Sequence, residues 1–324
     1  MINKKECRFK RVVEKKKIEE AIQDFLLDCE VRSLSKWTID FYKRTLKPFV
    51  FFGKQNSVEY VNDITKEMVN KYIAHLKDSI ENTTTINTYL RGLRTFLNFL
   101  KKEEFLENEI EINMLKEEEK IKETYSDEDI KKLLKKPDLK KCSFAEYRNW
   151  VLVNYLLETG NRLSSVINIK VSDVDLENGI VTIKHSKNKS HYFSPISNTM
   201  CKILREYIAT WNLKEDDYLF PSQSGAQMTK NTIEKAIRDY NKKRGVKLTS
   251  IHAFRHTFAK NYIKTNGNPF KLKQLLGHKT LEITNRYVRL YSEDLKKDFE
   301  EHSIIEKFYK GSKRISKIKT NQNK

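Results

Sequence analysis

Glycine is scarce in this chain, with nine in 324 residues, and cysteine scarcer, with four. The glycines form neither a phosphate-cradling P-loop nor a dinucleotide-binding GxGxxG turn, and no GxSxG nucleophile elbow occurs. Cys7, Cys29, Cys142 and Cys201 stand too far apart for a CxxC metal site or a compact disulfide framework and read as free thiols of a reducing compartment. No apolar run approaches the roughly 20 residues that a membrane-spanning helix needs. The opening MINKKECRFKRVVEKKK also lacks the apolar core of a secretory signal, so the expected location is cytoplasmic. Negative charge is the minority sign: 44 acidic residues face 63 basic ones, a net charge of +19. Such an excess favours a polyanionic partner, because neutralising nucleic-acid phosphates releases counterions; a merely lysine-rich composition is the plainer alternative.

What is present is helical periodicity interrupted once. The length suits two domains, and 38% apolar residues suffices for two small cores. After a basic extension, 1–17, the segment 18–108 reads as a four-helix bundle. Its first stripe is Ile18, Ile22, Phe25 and Leu26; Trp37, Phe41 and Leu46 begin a second, which Gly53 is expected to close. Thr65 caps a third helix with Met68, Val69, Tyr72, Ile73 and Leu76, and a fourth carries Ile86, Leu90, Leu93, Leu97 and Leu100. Lys43, Arg44 and Lys47 on the second helix and Arg91 and Arg94 on the fourth are candidate phosphate contacts, set against the alternative of a solvated basic face. Residues 109–124, rich in mixed charge and poor in anchors, read as a linker.

A second domain is expected over 125–306, opened by Ser126 ahead of three acidic residues. A helix through Tyr147, Trp150, Val151, Asn154 and Leu157 ends at Gly160. The pattern then alternates: Val171, Val174 and Leu176, a turn at Asn178-Gly179, and Ile180, Val181 and Ile183 predict a β-hairpin. A second turn, SKNKS, leads to a strand HYFSPI, which makes a small antiparallel sheet with Lys187 and Lys189 at its tip. Helices resume from Ser197 to Trp211 and from Thr229 to Arg244. The fold class is therefore mainly α with a small antiparallel sheet in the C-terminal domain. From Ile251 to Val288 the reactive groups crowd together. Ile251, Phe254, Phe258 and Tyr262 form a stripe beside His252, Arg255 and His256; Asn268-Pro269 starts a helix that Gly277 ends; Thr280 caps the next, which carries Tyr287. A basic tail, 307–324, follows.

Each of these residues alone says little, since a tyrosine on an apolar helix usually packs and a surface lysine is usually solvated. In order they stand as TGNR with Arg162, SKNK with Lys187, HAFRH with His252 and Arg255, LGH with His278, and RYV with Tyr287 nine residues later. This set resembles the tyrosine recombinase (phage integrase) family, whose catalytic domain carries TGxR, a hairpin lysine, HxxRH, GH and a tyrosine at that distance. A SAM-like helical core-binding domain joined by a linker to that catalytic domain is also the family's arrangement, so the resemblance spans essentially the whole chain.

The resemblance implies a site-specific DNA recombinase, for integration or excision of a mobile element, working as a homotetramer on two double-stranded DNA sites. Accessory DNA-bending or directionality proteins are possible partners in such systems, and no metal, ATP or other cofactor is implied. Tyr287 would be the nucleophile, Arg162 and Arg255 would hold the non-bridging oxygens, Lys187 would protonate the leaving 5′ oxygen, and His252 and His278 would assist by hydrogen bonding and proton transfer. An amphipathic tail bearing Leu295, Phe299, Ile304, Ile305 and Phe308 would dock on a neighbouring protomer or fold back. Two departures stand out: Ser165 replaces the family's usual acid three residues after the first arginine, and the SKNKS turn lacks the glycine-rich form, leaving Lys189 as the alternative to Lys187. His256 is either a packing histidine or a member of the site. The alternative functions are a non-catalytic DNA-binding protein that keeps the fold, and a type IB topoisomerase, which shares the chemistry without pairing two sites.

Overall fold

The computed structural model describes residues 15–291 except 107, 118–121, 185–190 and 279. The chain divides into two compact units, Met1–Lys120 and Ile121–Lys324, each with its own core. The first is built from α1 (Ile18–Val31), α2 (Lys36–Gln55), α3 (Lys66–Ser79) and α4 (Thr83–Lys102). Local chemistry sets its boundaries: Ser35, Thr65 and Asn82 each accept a backbone N–H of the first turn, at 3.0–3.2 Å, as N-caps do. The apolar stripe of α4 is buried as its spacing predicts, with Ile86, Leu90, Leu93, Leu97 and Leu100 inside. Gly92 on the same helix faces Thr45 of α2 so closely that a Cβ there would clash with it.

Three expectations about this unit need correction. Trp37 does not enter the core: it is 67% exposed and stacks on Phe41 at 6.0 Å, while Ile39, Leu46, Phe49 and Phe52 form the buried stripe of α2. Gly53 does not close α2 but lies inside it, where an added Cβ would stand 2.9 Å from the Val58 carbonyl oxygen; the glycine serves close backbone approach. The start of the expected linker is also anchored, because Ile110 and Ile112 are buried in the first core. Asn87 of α4 fastens it further, donating to the Leu115 carbonyl at 2.9 Å and accepting the Leu115 N–H at 2.8 Å.

The second unit begins with α5 (Asp127–Leu134), capped by Ser126, and is organised around α6 (Phe144–Thr159). α6 is buried on nearly every side, packed against α5 and the later helices α8 (Asn198–Thr210), α9 (Lys230–Lys243) and α10 (Ile251–Lys264). After α6 come the single turn α7 (Leu163–Val166) and an antiparallel sheet in the order β1 (Val174–Asp175), β2 (Ile180–Ile183), β3 (Tyr192–Pro195). Its register pairs Val174 with Val181 and Ile183 with Tyr192. Val171 belongs to a 3-10 turn rather than to the hairpin. Pro195, which has no N–H to give, sits on an edge strand where none is needed on the open side. α11 (Pro269–Leu276) and α12 (Leu281–Tyr291) complete the described residues. Asn268 caps α11 through the N–H groups of Phe270 and Lys271, and α12 starts directly after Thr280. Among the described residues no helix is long and apolar enough to cross a membrane. The basic extension through residue 14 and the tail from 292 onward, including the expected docking helix, lie outside the described residues.

Candidate active site

Two left-handed glycines aim the backbone into the site. Gly160 (φ +59°) ends α6, and its carbonyl oxygen accepts Nη1 of Arg255 at 2.9 Å. Gly277 (φ +59°) ends α11 in a Schellman motif, in which the His278 N–H reaches the Lys273 carbonyl and the Gly277 N–H reaches Gln274, each at 3.0 Å. The carbonyls left over at that helix end carry its partial negative charge, and both arginines converge there. Arg255 donates from Nη2 to the Leu276 oxygen at 2.8 Å; Arg162 donates from Nη1 to the oxygens of Leu276 and Gly277 at 3.2 and 3.1 Å. One carbonyl oxygen thus holds two guanidinium groups in neighbouring positions.

That arrangement is electrostatically costly without an anion. Arg255 is 8% exposed, and burial together with the adjacent Arg162 pulls its pKa down to about 10, against the raising influence of Tyr287 and Tyr192. A phosphate placed between the two forks would restore the lost solvation and match their planar donors.

α12 brings Tyr287 to the same place, beside Arg255. Its ring lies parallel to that of His278, with centroids 6.3 Å apart and planes 3° from parallel, and its hydroxyl is 2.8 Å from Nδ1 of His256. His278 is in turn fixed by Thr284, one turn before the tyrosine on α12, at 2.9 Å. Burial, then Arg255 and Arg162, hold the His278 pKa near 3; burial, then Lys122, His252 and Arg255, hold that of His256 near 4. Both rings are neutral at pH 7. His252 is exposed in the free protein, although its packed side and the Lys230 ammonium still lower its pKa, partly opposed by Glu234.

Of the six expected catalytic residues, Arg162, Arg255, His278 and Tyr287 are brought together and His252 lies at the rim on α10; Lys187, like its alternative Lys189, falls outside the described residues. The expected phosphate contacts Lys43, Arg44, Lys47, Arg91 and Arg94 are all exposed on the first unit, and Arg91 is paired with Glu117 at 3.1 Å. Among the described residues no three His, Cys, Asp or Glu side chains are grouped to hold a metal ion.

Sequence reasoning missed a layer beneath the arginines. The Tyr192 hydroxyl donates to Asn161 at 3.0 Å, and the Asn161 amide donates to Tyr155 and Ser194 at 3.0 and 2.9 Å. Ser165 is buried beside the same tyrosine, whose pKa is raised by burial and pulled back by Arg255, Ser165 and Arg162. A neutral hydroxyl and amide network therefore occupies the place where the family pattern has a carboxylate. Asn161, lying between the helix-ending glycine and the arginine, was the available signal.

A helical N-terminal unit together with a unit of helices around a three-stranded antiparallel sheet is the fold of the tyrosine recombinases. The family model described as "Phage integrase family" matches residues 123–294 and that described as "Phage integrase, N-terminal SAM-like domain" matches 22–104, so the chain belongs to the phage integrase family. The tyrosine recombinase XerD of Staphylococcus epidermidis is 25% identical over 285 residues, covering 85% of this chain and 96% of the relative. That of Staphylococcus aureus is 24% identical over 289 residues, covering 86% and 97%. Among solved structures, the XerH site-specific recombinase bound to palindromic difH substrate in a post-cleavage complex superposes with a TM-score of 0.66 at 19% identity, covering 87% of this chain and 82% of that one. The Tn1549 transposon integrase in complex with transposon right end DNA gives 0.66 at 17% identity, covering 87% and 98%. At these identities the two structures attest the shared fold.

Proposed function

We propose that this tyrosine recombinase cuts and rejoins double-stranded DNA at defined sites through a 3′-phosphotyrosyl intermediate on Tyr287, and serves integration or excision of a mobile element. The observation that carries the reading is the convergence of Arg162 and Arg255 on the Leu276 carbonyl oxygen, with the Tyr287 phenol beside them. In the forward step the Tyr287 phenol loses its proton to water, a loss favoured by the adjacent Arg255 guanidinium, and its oxygen bonds to phosphorus as the bond to the 5′ oxygen breaks. The two arginines hold the non-bridging oxygens through the transition state, and Lys187 gives the leaving oxygen its proton. His278, locked by Thr284, donates from its outer edge, and His252 closes on the phosphate from the rim. The ester keeps the phosphodiester's energy, so a 5′ hydroxyl of a second duplex reverses the step and exchanges strands without ATP.

The helical segment 18–108 grips the duplex with Lys43, Arg44, Lys47, Arg91 and Arg94, and 125–306 does the chemistry. Exchange needs four active sites, hence a homotetramer on two DNA sites, assisted by DNA-bending or directionality proteins and acting in the cytoplasm. The XerH and Tn1549 complexes, described as bound to difH substrate and transposon end DNA, support the choice of partner. The test is exchange between two plasmid-borne copies of the site: joined products with the wild-type protein and none with Tyr287→Phe support recombination. Relaxation without exchange contradicts it.

A further inference from the structure

His256 lies outside the six-residue set, yet it makes a direct hydrogen bond to the nucleophile's hydroxyl, Nδ1 to Oη at 2.8 Å. We propose that His256 is a positioning residue that accepts the Tyr287 proton in a hydrogen bond and so aims the phenol oxygen at the scissile phosphorus. The proposal rests on the reading of Tyr287 as the nucleophile.

The helix supplies the geometry. Successive residues on α10 are turned by about 100°, so Arg255 reaches the carbonyls at the end of α11 while His256 faces α12. A phenol has one proton and a rotatable C–O–H; directing that proton at Nδ1 fixes where the oxygen lone pairs point, with the Arg255 guanidinium, also bonded to Tyr287, on the acceptor side. The parallel His278 ring guards the face of the tyrosine while His256 holds its hydroxyl, so the side chain is constrained in two independent directions.

The surroundings keep Nδ1 an acceptor. The charged and titratable groups bearing on His256 are Lys122 from the segment before α5, His252 and Arg255 on its own helix, and Tyr287 on α12; the cations among them oppose a second positive charge. The segment carrying Lys122 is sewn to α10. The Tyr125 N–H donates to Thr257 at 2.9 Å, the Tyr125 ring stacks on Phe254 at 4.4 Å, and Lys260 donates to Thr124 at 3.2 Å. An imidazole held near 4 is a poor proton acceptor from a phenol whose ordinary pKa is about 10, which leaves orientation rather than general-base catalysis as its role.

The test compares wild type, His256→Ala, His256→Asn and Tyr287→Phe on a nicked duplex carrying the DNA recovered from wild-type covalent complexes. The readout is the rate of detergent-resistant adduct formation at saturating protein, with melting temperature and DNA affinity measured alongside. An asparagine oxygen can stand where Nδ1 stood, so the alanine variant should be slower by about 10–100-fold and the asparagine variant within about threefold of wild type, both binding DNA normally. Alanine at the wild-type rate, or asparagine as slow as alanine, overturns the proposal while leaving the nucleophile in place. An adduct formed by Tyr287→Phe overturns the nucleophile and the proposal together. On the free protein, nitrogen NMR of the histidines gives a reading that no misfolded variant can obscure. The wild-type His256 signal should show a proton on Nε2 and a hydrogen-bonded acceptor at Nδ1, with the Nδ1 resonance shifted in Tyr287→Phe; an Nδ1-protonated ring, or no change, overturns the proposal.

Discussion

Among the described residues of the N-terminal unit, tyrosine aside, the buried polar side chains are Thr45 and Asn87; both bond to backbone carbonyls, and Asn87 also donates to the Glu117 carboxylate. Its basic residues, Lys43, Arg44, Lys47, Arg91 and Arg94, all stay in solvent. The C-terminal unit buries Arg148, Asn161, Ser165, Arg255, His278 and Thr284, and several of these bond to one another or to carbonyls at helix ends. Under the proposed function, the contrast follows from two ways of meeting the same polyanion. Gripping a backbone needs charge at the surface, where hydration is cheap and counterions are released. Transferring a phosphoryl group needs donors fixed beforehand in a poorly solvated site, where they act strongly on charge that develops only in the transition state. The first task leaves an apolar core intact; the second puts polarity inside, and the glycine-ended helices α6 and α11 supply the carbonyls that satisfy it.

Substitutions that exchange the two regimes sharpen this contrast. The largest effect is expected from Arg255→Lys: an ammonium cannot span the Gly160 and Leu276 carbonyls and a phosphate at once, so the rate of adduct formation should fall about 10³-fold. Filter binding should show DNA affinity within a few-fold of wild type. Next is Asn161→Ala, which strips partners from Tyr155, Tyr192 and Ser194 and should cost about 2–3 kcal/mol in a denaturant titration. Asn87→Ala, whose loss of two backbone bonds occurs beside solvent, should cost about 1–2 kcal/mol.

The fourth effect concerns pH. The folded protein holds His256 near 4 and His278 near 3, below the 6.5 of a free imidazole. Between those values the unfolded chain binds protons that the folded chain refuses. The contribution of the neutral rings is therefore fully present above about 6.5 and is lost as pH falls toward 4 and then 3. Melting curves of wild type should show this acid loss, and a His256→Asn, His278→Asn double variant should flatten it. The described histidine of the N-terminal unit, His75, is exposed. The smallest effect is that of Arg94→Ala: the dependence of log affinity on log salt should lose about one unit of slope, with adduct formation at saturating protein unchanged.

The legible parts of the fold were those decided within a few residues. Ser126, Thr65, Thr229, Asn268, Gly160 and Gly277 punctuate helices through their own side chains or their own φ, and Asn178-Gly179 makes a hairpin of the strands around it. The apolar stripe of α4 was readable for the same reason. The misreadings of Trp37, Gly53 and Ile110 share one cause, since each depends on which distant element lies against the residue. A periodicity cannot tell a helix packed on one side from one surrounded, nor an aromatic left in solvent from one in a core. At the site, the spacing of TGNR, HAFRH, LGH and RYV pointed to the residue types. The bond between His256 and Tyr287 joins residues 31 positions apart and had no local signature; the network that crosses from α6 to β3 offered only Asn161 itself, between Gly160 and Arg162.

The most direct test of the account is the chemistry of Tyr287 itself. DNA-linked protein recovered from cells making the wild type or Tyr287→Phe would be digested with protease and nuclease, and the peptides read by mass spectrometry. The account predicts a nucleotide 3′-phosphate carried on Tyr287 in the wild type and no adduct in the phenylalanine variant. A nucleotide on any other residue, or none from a wild-type protein that is folded and bound to DNA, would contradict it.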